Sequence, residues 1–201
     1  MLYHLDGDRL ARITFPLGGM AKREVREHAR EFGLPVADKA ESQEICFVPR
    51  GETARYLSER LPVRAGPVVD AHGRELGTHR GTALYTVGQR SGFGDLREVG
   101  PWYVIKIDAP SNRLVVGRKD ELAVQEVALR DVSFIDGRVD EPLRCEARLR
   151  YHAQAIPATY ASGRLVLDEP FFGAAPGQAA VLYDGTRVLG GGIIESAITG
   201  L

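Results

Sequence analysis

The chain has 201 residues, 44% of them hydrophobic and 26% charged, with a formal net charge of −1. That is long enough to bury a sizeable core in one large or two small domains, and its composition is that of an ordinary globular protein. Its apolar runs are too short to span a bilayer, its start lacks the basic-then-apolar pattern of a secretory signal, and its charge excludes a global basic field that would draw nucleic acid.

Two cysteines, Cys46 and Cys145, make no disulfide framework, so a cytoplasmic protein is the simplest reading. The cations are 22 Arg against 4 Lys. Arg suits phosphate forks and base stacking, but a GC-rich genome accounts for most of such a bias. Any RNA contact therefore has to come from a local patch.

In chain order, residues 2–12 read as the tail of a domain, and Phe15-Pro16-Leu17-Gly18-Gly19 as a turn-rich entry. The spacing predicts a helix over residues 22–32, with Val25, Ala29 and Phe32 on one face. Gly33 stops it and Pro35 prevents continuation, while Ala21 offers no side-chain cap. Residues 34–37 read as a short strand. A stretch around Cys46 follows, closed by Pro49 and Gly51. Residues 52–61 read as a second short helix, and residues 62–67 as a linker.

From there the pattern turns to β. Val68-Val69-Asp70 and Arg74-Glu75-Leu76-Gly77 flank a His72-Gly73 turn, and residues 102–107 and 113–117 read as a hairpin across Pro110-Ser111-Asn112. A second β block starts near Val127. Arg144-Cys145-Glu146-Ala147-Arg148-Leu149-Arg150 alternates strictly, which turns Cys145, Ala147 and Leu149 to a core and the arginines to solvent. Residues 158–160 and 165–167 flank Ser162-Gly163, and residues 180–183 and 188–190 flank Asp184-Gly185, a strong hairpin signal. About six short strands with regular turns suggest a small barrel.

Few residues suggest chemistry by type alone. Cys46 lies between Ile45 and Phe47, where free cysteine is commonly a small buried hydrophobe. Lys39 and Arg50 would favour its thiolate and Glu44 would oppose it. Gly88-Gln89-Arg90-Ser91-Gly92-Phe93-Gly94 is glycine-rich and carries Arg90, but it lacks the Lys-Ser/Thr ending of a phosphate-binding loop. His4, His28, His72, His79 and His152 show no metal-ligand spacing, so no metal is expected.

Ser42-Gln43-Glu44-Ile45-Cys46-Phe47-Val48 closely resembles the segment around the second catalytic cysteine of the tRNA-specific 2-thiouridylases, which put sulfur on the wobble uridine of certain tRNAs. Phe15-Pro16-Leu17-Gly18, Gly33-Leu34-Pro35-Val36-Ala37-Asp38-Lys39, Tyr85-Thr86-Val87-Gly88-Gln89-Arg90 and Ala175-Pro176-Gly177-Gln178-Ala179-Ala180 also look like that family, in the family's order. The family's ATP-gripping Ser-Gly-Gly-Val-Asp-Ser loop, its first catalytic cysteine and its Lys-Asp-Gln motif do not occur here, so the chain resembles the C-terminal half of such an enzyme.

The resemblance implies a mixed α+β, mainly β fold in three parts. Residues 1–50 would be a short helical remnant of the nucleotide-binding domain, residues 51–122 a small central β-rich domain, and residues 123–201 a C-terminal six-stranded barrel like the second domain of elongation factors. It implies that Cys46 carries a catalytic persulfide and that Arg150, Tyr151, Gln178 and, more weakly, Arg90 contact tRNA. ATP would be bound by the absent N-terminal part and would activate the C2 oxygen of the uridine. The partners implied are tRNA and a sulfur donor such as a cysteine desulfurase or a sulfur-relay protein, with no membrane. Cys145 has no catalytic counterpart and reads as structural. A non-catalytic RNA-binding barrel module, with Cys46 inert, is the competing reading.

Overall fold

The alternation over residues 144–149 becomes a barrel strand. The computed structural model describes residues 2–39, 47–49, 51–93, 96 and 100–198. It divides into two units: residues 8–60, and residues 61–201 together with the first seven.

In the first unit, helix α1 is a single turn, Gly7–Leu10, and helix α2 is Lys22–Glu31. Ala21 caps α2 without a side-chain acceptor, as expected. Its own N–H instead donates to Glu24 Oε2 at 2.7 Å, half of a capping box. Val25 and Ala29 are half-buried, but Phe32, at the C-cap, is 76% exposed. Gly33 takes φ +64°, the left-handed stop expected after a helix. The strand expected over residues 34–37 does not form. Residues 35–38 are turns, Ala37 N–H donates to Leu34 O at 3.1 Å, and among the described residues no strand pairs with them. Helix α3 is Thr53–Ser58, shorter at both ends than the sequence suggested.

In the second unit, β1 (Gly66–Val69), β2 (Glu75–His79), β3 (Tyr103–Asp108) and β4 (Arg113–Gly117) form a sheet ordered β2-β1-β4-β3. Only the β1–β4 pair is parallel. The expected linker therefore already holds the start of β1. Val68, Leu76, Tyr85, Phe93, Trp102, Val104, Leu114 and Val116 make this sheet's core. The His72-Gly73 turn closes on Asp70, whose carboxylate accepts from the N–H groups of His72 (3.0 Å) and Arg74 (2.9 Å). The Arg74 backbone and side chain, with the His72 N–H, hold the Asp70 carboxyl below its ordinary range.

The remaining strands are β5 (Ala123–Phe134), β6 (Leu143–Arg148), β7 (Ile156–Ala161), β8 (Arg164–Phe172), β9 (Ala179–Asp184) and β10 (Arg187–Ile198). They close as an antiparallel barrel ordered β10-β5-β8-β7-β6-β9. Ser162 and Gly163 both have positive φ, giving the two-residue turn that matches strand twist. The β9–β10 turn is Gly185-Thr186, one residue later than the expected pair, because Asp184 and Arg187 face each other. β10 carries Gly190-Gly191-Gly192 past its neighbours at close range: a Cβ on Gly191 would lie 2.3 Å from Ala180 O and 2.9 Å from the ring of buried Tyr3.

Candidate functional site

Antiparallel closure gives the barrel two ends. At one end β5, β7 and β9 start, and β6, β8 and β10 finish. Arg150 and Tyr151 follow β6 and Gln178 precedes β9, and the Arg148↔Val181 pairing brings those two segments to the same edge. The structure thus brings three expected site residues to one end of the barrel.

Their environments differ. Arg150 is exposed, its guanidinium 5.8 Å from the ring centre of Phe171, and its carbonyl accepts from Ala153 N–H at 3.0 Å. Tyr151 is 84% exposed and meets His152 edge-on, with ring centroids 4.3 Å apart. Gln178 is half-buried and fixed through its backbone: its carbonyl accepts from Ile194 N–H (2.8 Å) and its N–H donates to Ala175 O (3.2 Å). Its side-chain Oε1 is buried with no hydrogen-bond partner among the described residues.

Arg90 reaches the same region by a route that no local pattern announces. Its loop is folded on its own side chains: Tyr85 Oη donates to Gly92 O (2.8 Å) and Gln89 Nε2 to Ser91 O (2.7 Å). It zips onto β3, with Gly88 N–H donating to Val104 O (2.8 Å) and Val104 N–H to Gln89 O (2.9 Å). A Cβ on Gly88 would stand 3.6 Å from the Cα of Gly173, which follows β8 at this barrel end. The loop is therefore docked at the end that carries Arg150, and Arg90 is exposed on it. A cleft of about 800 Å³ lies here between the sheet and the barrel, lined by Thr86, Ile105, Lys106, Glu121, Pro176 and Ser196 among others.

Behind this surface the sheet is fixed by His79, which is 1% exposed. Its Nε2 pairs with Asn112 O at 3.0 Å, while Asn112 Nδ2 donates to Arg64 O (3.2 Å) and Ala65 O (3.0 Å). Because the partner of Nε2 is a carbonyl, Nε2 carries the proton in neutral His79.

Cys46 lies outside the described residues. Its neighbour Phe47 is exposed, 5.7 Å from Tyr56 between ring centroids, and Val48 is buried. Cys145 is 6% exposed inside the barrel, and burial pushes its thiol up to about 11, outweighing the nearby Arg144. Among the described residues no group of His, Cys, Asp and Glu could hold a metal ion, and no helix is long and apolar enough to cross a membrane.

Three family models match consecutive stretches of the chain. They are the tRNA methyl transferase HUP domain over residues 1–50, the tRNA methyl transferase PRC-barrel domain over residues 54–118 and the Aminomethyltransferase beta-barrel domain over residues 124–194. Among curated proteins, a tRNA-specific 2-thiouridylase MnmA of Synechococcus sp. is 43% identical, covering 96% of this chain and 54% of the relative. Those of Geobacter metallireducens and Moorella thermoacetica are 42% and 44% identical, covering 98% and 97% of this chain and 55% and 57% of the relatives. The chain spans about half the length of the curated relatives it matches. Matches at this level, continuous over nearly every residue described above, place the chain in the family of the tRNA-specific 2-thiouridylases.

Proposed function

We propose that this chain supplies the sulfur-carrying cysteine and much of the tRNA-binding surface of a tRNA 2-thiouridylase. In this reading residues 1–50 belong to the catalytic nucleotide-binding domain, residues 51–122 form a central domain and residues 123–201 the barrel domain. The observation that carries it is 42–44% identity to tRNA-specific 2-thiouridylases over nearly the whole chain.

Cys46 accepts sulfur from a donor protein as a persulfide and presents the terminal sulfur to C2 of an activated wobble uridine. The new C–S bond forms as the activated oxygen departs. A second thiol then attacks Sγ of Cys46, which breaks the S–S bond, leaves sulfur on the uridine and forms a disulfide that a thiol reductant reopens. Cys145 is excluded as that second thiol by its place in the barrel core. Arg150 clamps phosphate, Tyr151 stacks on a base, Gln178 gains a donor for its buried oxygen, and Arg90 meets the backbone from its loop.

ATP use is consistent with the matched HUP domain family. The residues described here do not fit its triphosphate, however. The Gly88–Phe93 loop is filled by its own Gln89 and Tyr85 contacts, and among the described residues no helix lies between it and β3 to point N–H groups at phosphate. The activation step is therefore assigned to none of the described residues.

The test is persulfide transfer. The chain is incubated with a cysteine desulfurase, its cofactor and ³⁵S-cysteine, and the labelled position is read by peptide mass under non-reducing conditions. Label on Cys46 that disappears in Cys46→Ser is expected. A chain that binds tRNA but takes no sulfur on Cys46 would instead be a non-catalytic RNA-binding barrel module.

A further inference from the structure

The barrel's cations are not treated alike at its two ends. Toward the end where β6 and β8 begin, the arginines are neutralised: Arg144 by Asp168, Arg164 by Glu126, and Arg187 by Asp136. Arg130 on β5 likewise meets Asp131. The cations whose backbone lies toward the end that carries Arg150 face rings instead, the Tyr183 ring being set opposite Glu146. Arg148, outward on β6 two residues before Arg150, has its guanidinium 5.3 Å from the Tyr183 ring centre. Lys119, in the segment leading into β5, has its ammonium 5.2 Å from the ring centre of Phe172 at the end of β8. Neither side chain makes an ion pair among the described residues, and both are exposed. Glu121, at the same end, is turned to the backbone N–H of Arg118 at 2.6 Å.

A cation held over a ring keeps its charge uncancelled, whereas a paired one contributes little to a field at a distance. Exposed rings among unpaired cations suit RNA, whose phosphates take the cations and whose unstacked bases take the rings. A protein or lipid anion would use the cations and leave Tyr151 and Phe172 in water.

We propose that Lys119 and Arg148, which the family resemblance does not point to, extend the Arg150–Tyr151 site into one continuous RNA-binding face at this end of the barrel. Lys119 stands over Phe172 and Arg150 near Phe171, while Arg148 adds a cation on the β9 side of β6, and together they grip the phosphate backbone of the tRNA segment whose bases Tyr151 and Gln178 meet. The proposal rests on the tRNA reading above and adds two side chains and a boundary: the face stops before the ion-paired end.

The test measures binding of an unmodified tRNA transcript by fluorescence anisotropy over a salt series, on the whole chain and on Lys119→Gln, Arg148→Gln, Arg150→Gln and the control Arg187→Gln. Circular dichroism and melting confirm that each variant is folded. Lys119→Gln and Arg148→Gln should each weaken binding roughly tenfold and flatten the slope of log K against log salt by about 0.7–0.9, the share of one phosphate contact. Arg187→Gln should stay within about twofold of wild type. Folded Lys119→Gln and Arg148→Gln proteins that bind like wild type, while Arg150→Gln is impaired, would overturn the extended face and leave the tRNA reading standing. An equal loss in Arg187→Gln would overturn its one-ended placement. A wild-type chain that binds no tRNA at low salt would overturn the tRNA reading itself.

Discussion

At the residue scale the two cysteines separate by environment. Cys145 sits between Ala147 and Tyr160 in a closed apolar core, where burial lifts its thiol to about 11, so thiolate is scarce at pH 8. In an alkylation experiment on the folded chain at that pH, Cys46 should label at least about tenfold faster than Cys145, a difference of about 1.4 kcal/mol in opening or ionisation. Labelling of Cys145 first, before the barrel melts, would reverse the two assignments. Asp70 makes a second residue-level case. Its folded carboxyl ionises below the ordinary range, held chiefly by the Arg74 backbone N–H. Its contribution to stability is therefore complete above about pH 4, the unfolded value, and is lost as pH falls through the folded one. The melting temperature of Asp70→Asn should lie below that of wild type near neutrality, and the gap should narrow on acidification below pH 4. A gap that widens in acid would contradict this assignment.

At the element scale the barrel closes because β10 can press against both neighbours. Gly191 faces Ala180 O on β9 and the ring of Tyr3, in the N-terminal turn packed on the barrel, at distances that leave no room for a methyl group, while Gly190 meets Ser133 O on β5 as closely. Gly191→Ala should destabilise the chain by about 1–3 kcal/mol, the range for overpacking, read as a lower urea midpoint at unchanged slope. Gly19→Ala, at a position with nothing within 4 Å, is the control and should leave the midpoint unchanged. Equal midpoints for the two variants would show that β10 yields at Gly191 and that close approach does not decide closure.

For the whole molecule, the two units differ in how much apolar surface they bury. In residues 8–60 only Ala37 and Val48 are buried among the described residues, α2 and α3 bury none, and Phe15, Leu17, Phe32, Val36 and Phe47 are exposed. Residues 61–198 hold two cores around the sheet and the barrel. Local opening should therefore be cheapest in residues 8–60. Limited proteolysis under native conditions should cut there first and leave a resistant product beginning near Leu61. Initial cuts between β5 and β10 would show that the barrel, not the smaller unit, is the weak part.

The sequence alone determined the period-2 strands, the turns at His72-Gly73 and Ser162-Gly163, the inward face of Cys145, Ala147 and Leu149, and through its motifs the family. These depend on neighbours along the chain, which a sequence displays directly. The strand read over residues 34–37 failed because a short apolar run needs a partner strand to be a strand, and pairing is not local. Tertiary structure alone decided that Gly88 meets Gly173, which docks Arg90 at the barrel end of Arg150 and Gln178, and that Arg144 finds Asp168 while Arg148 finds Tyr183. Those encounters join residues tens of positions apart, and only the register of a closed barrel sets which side chains share an end.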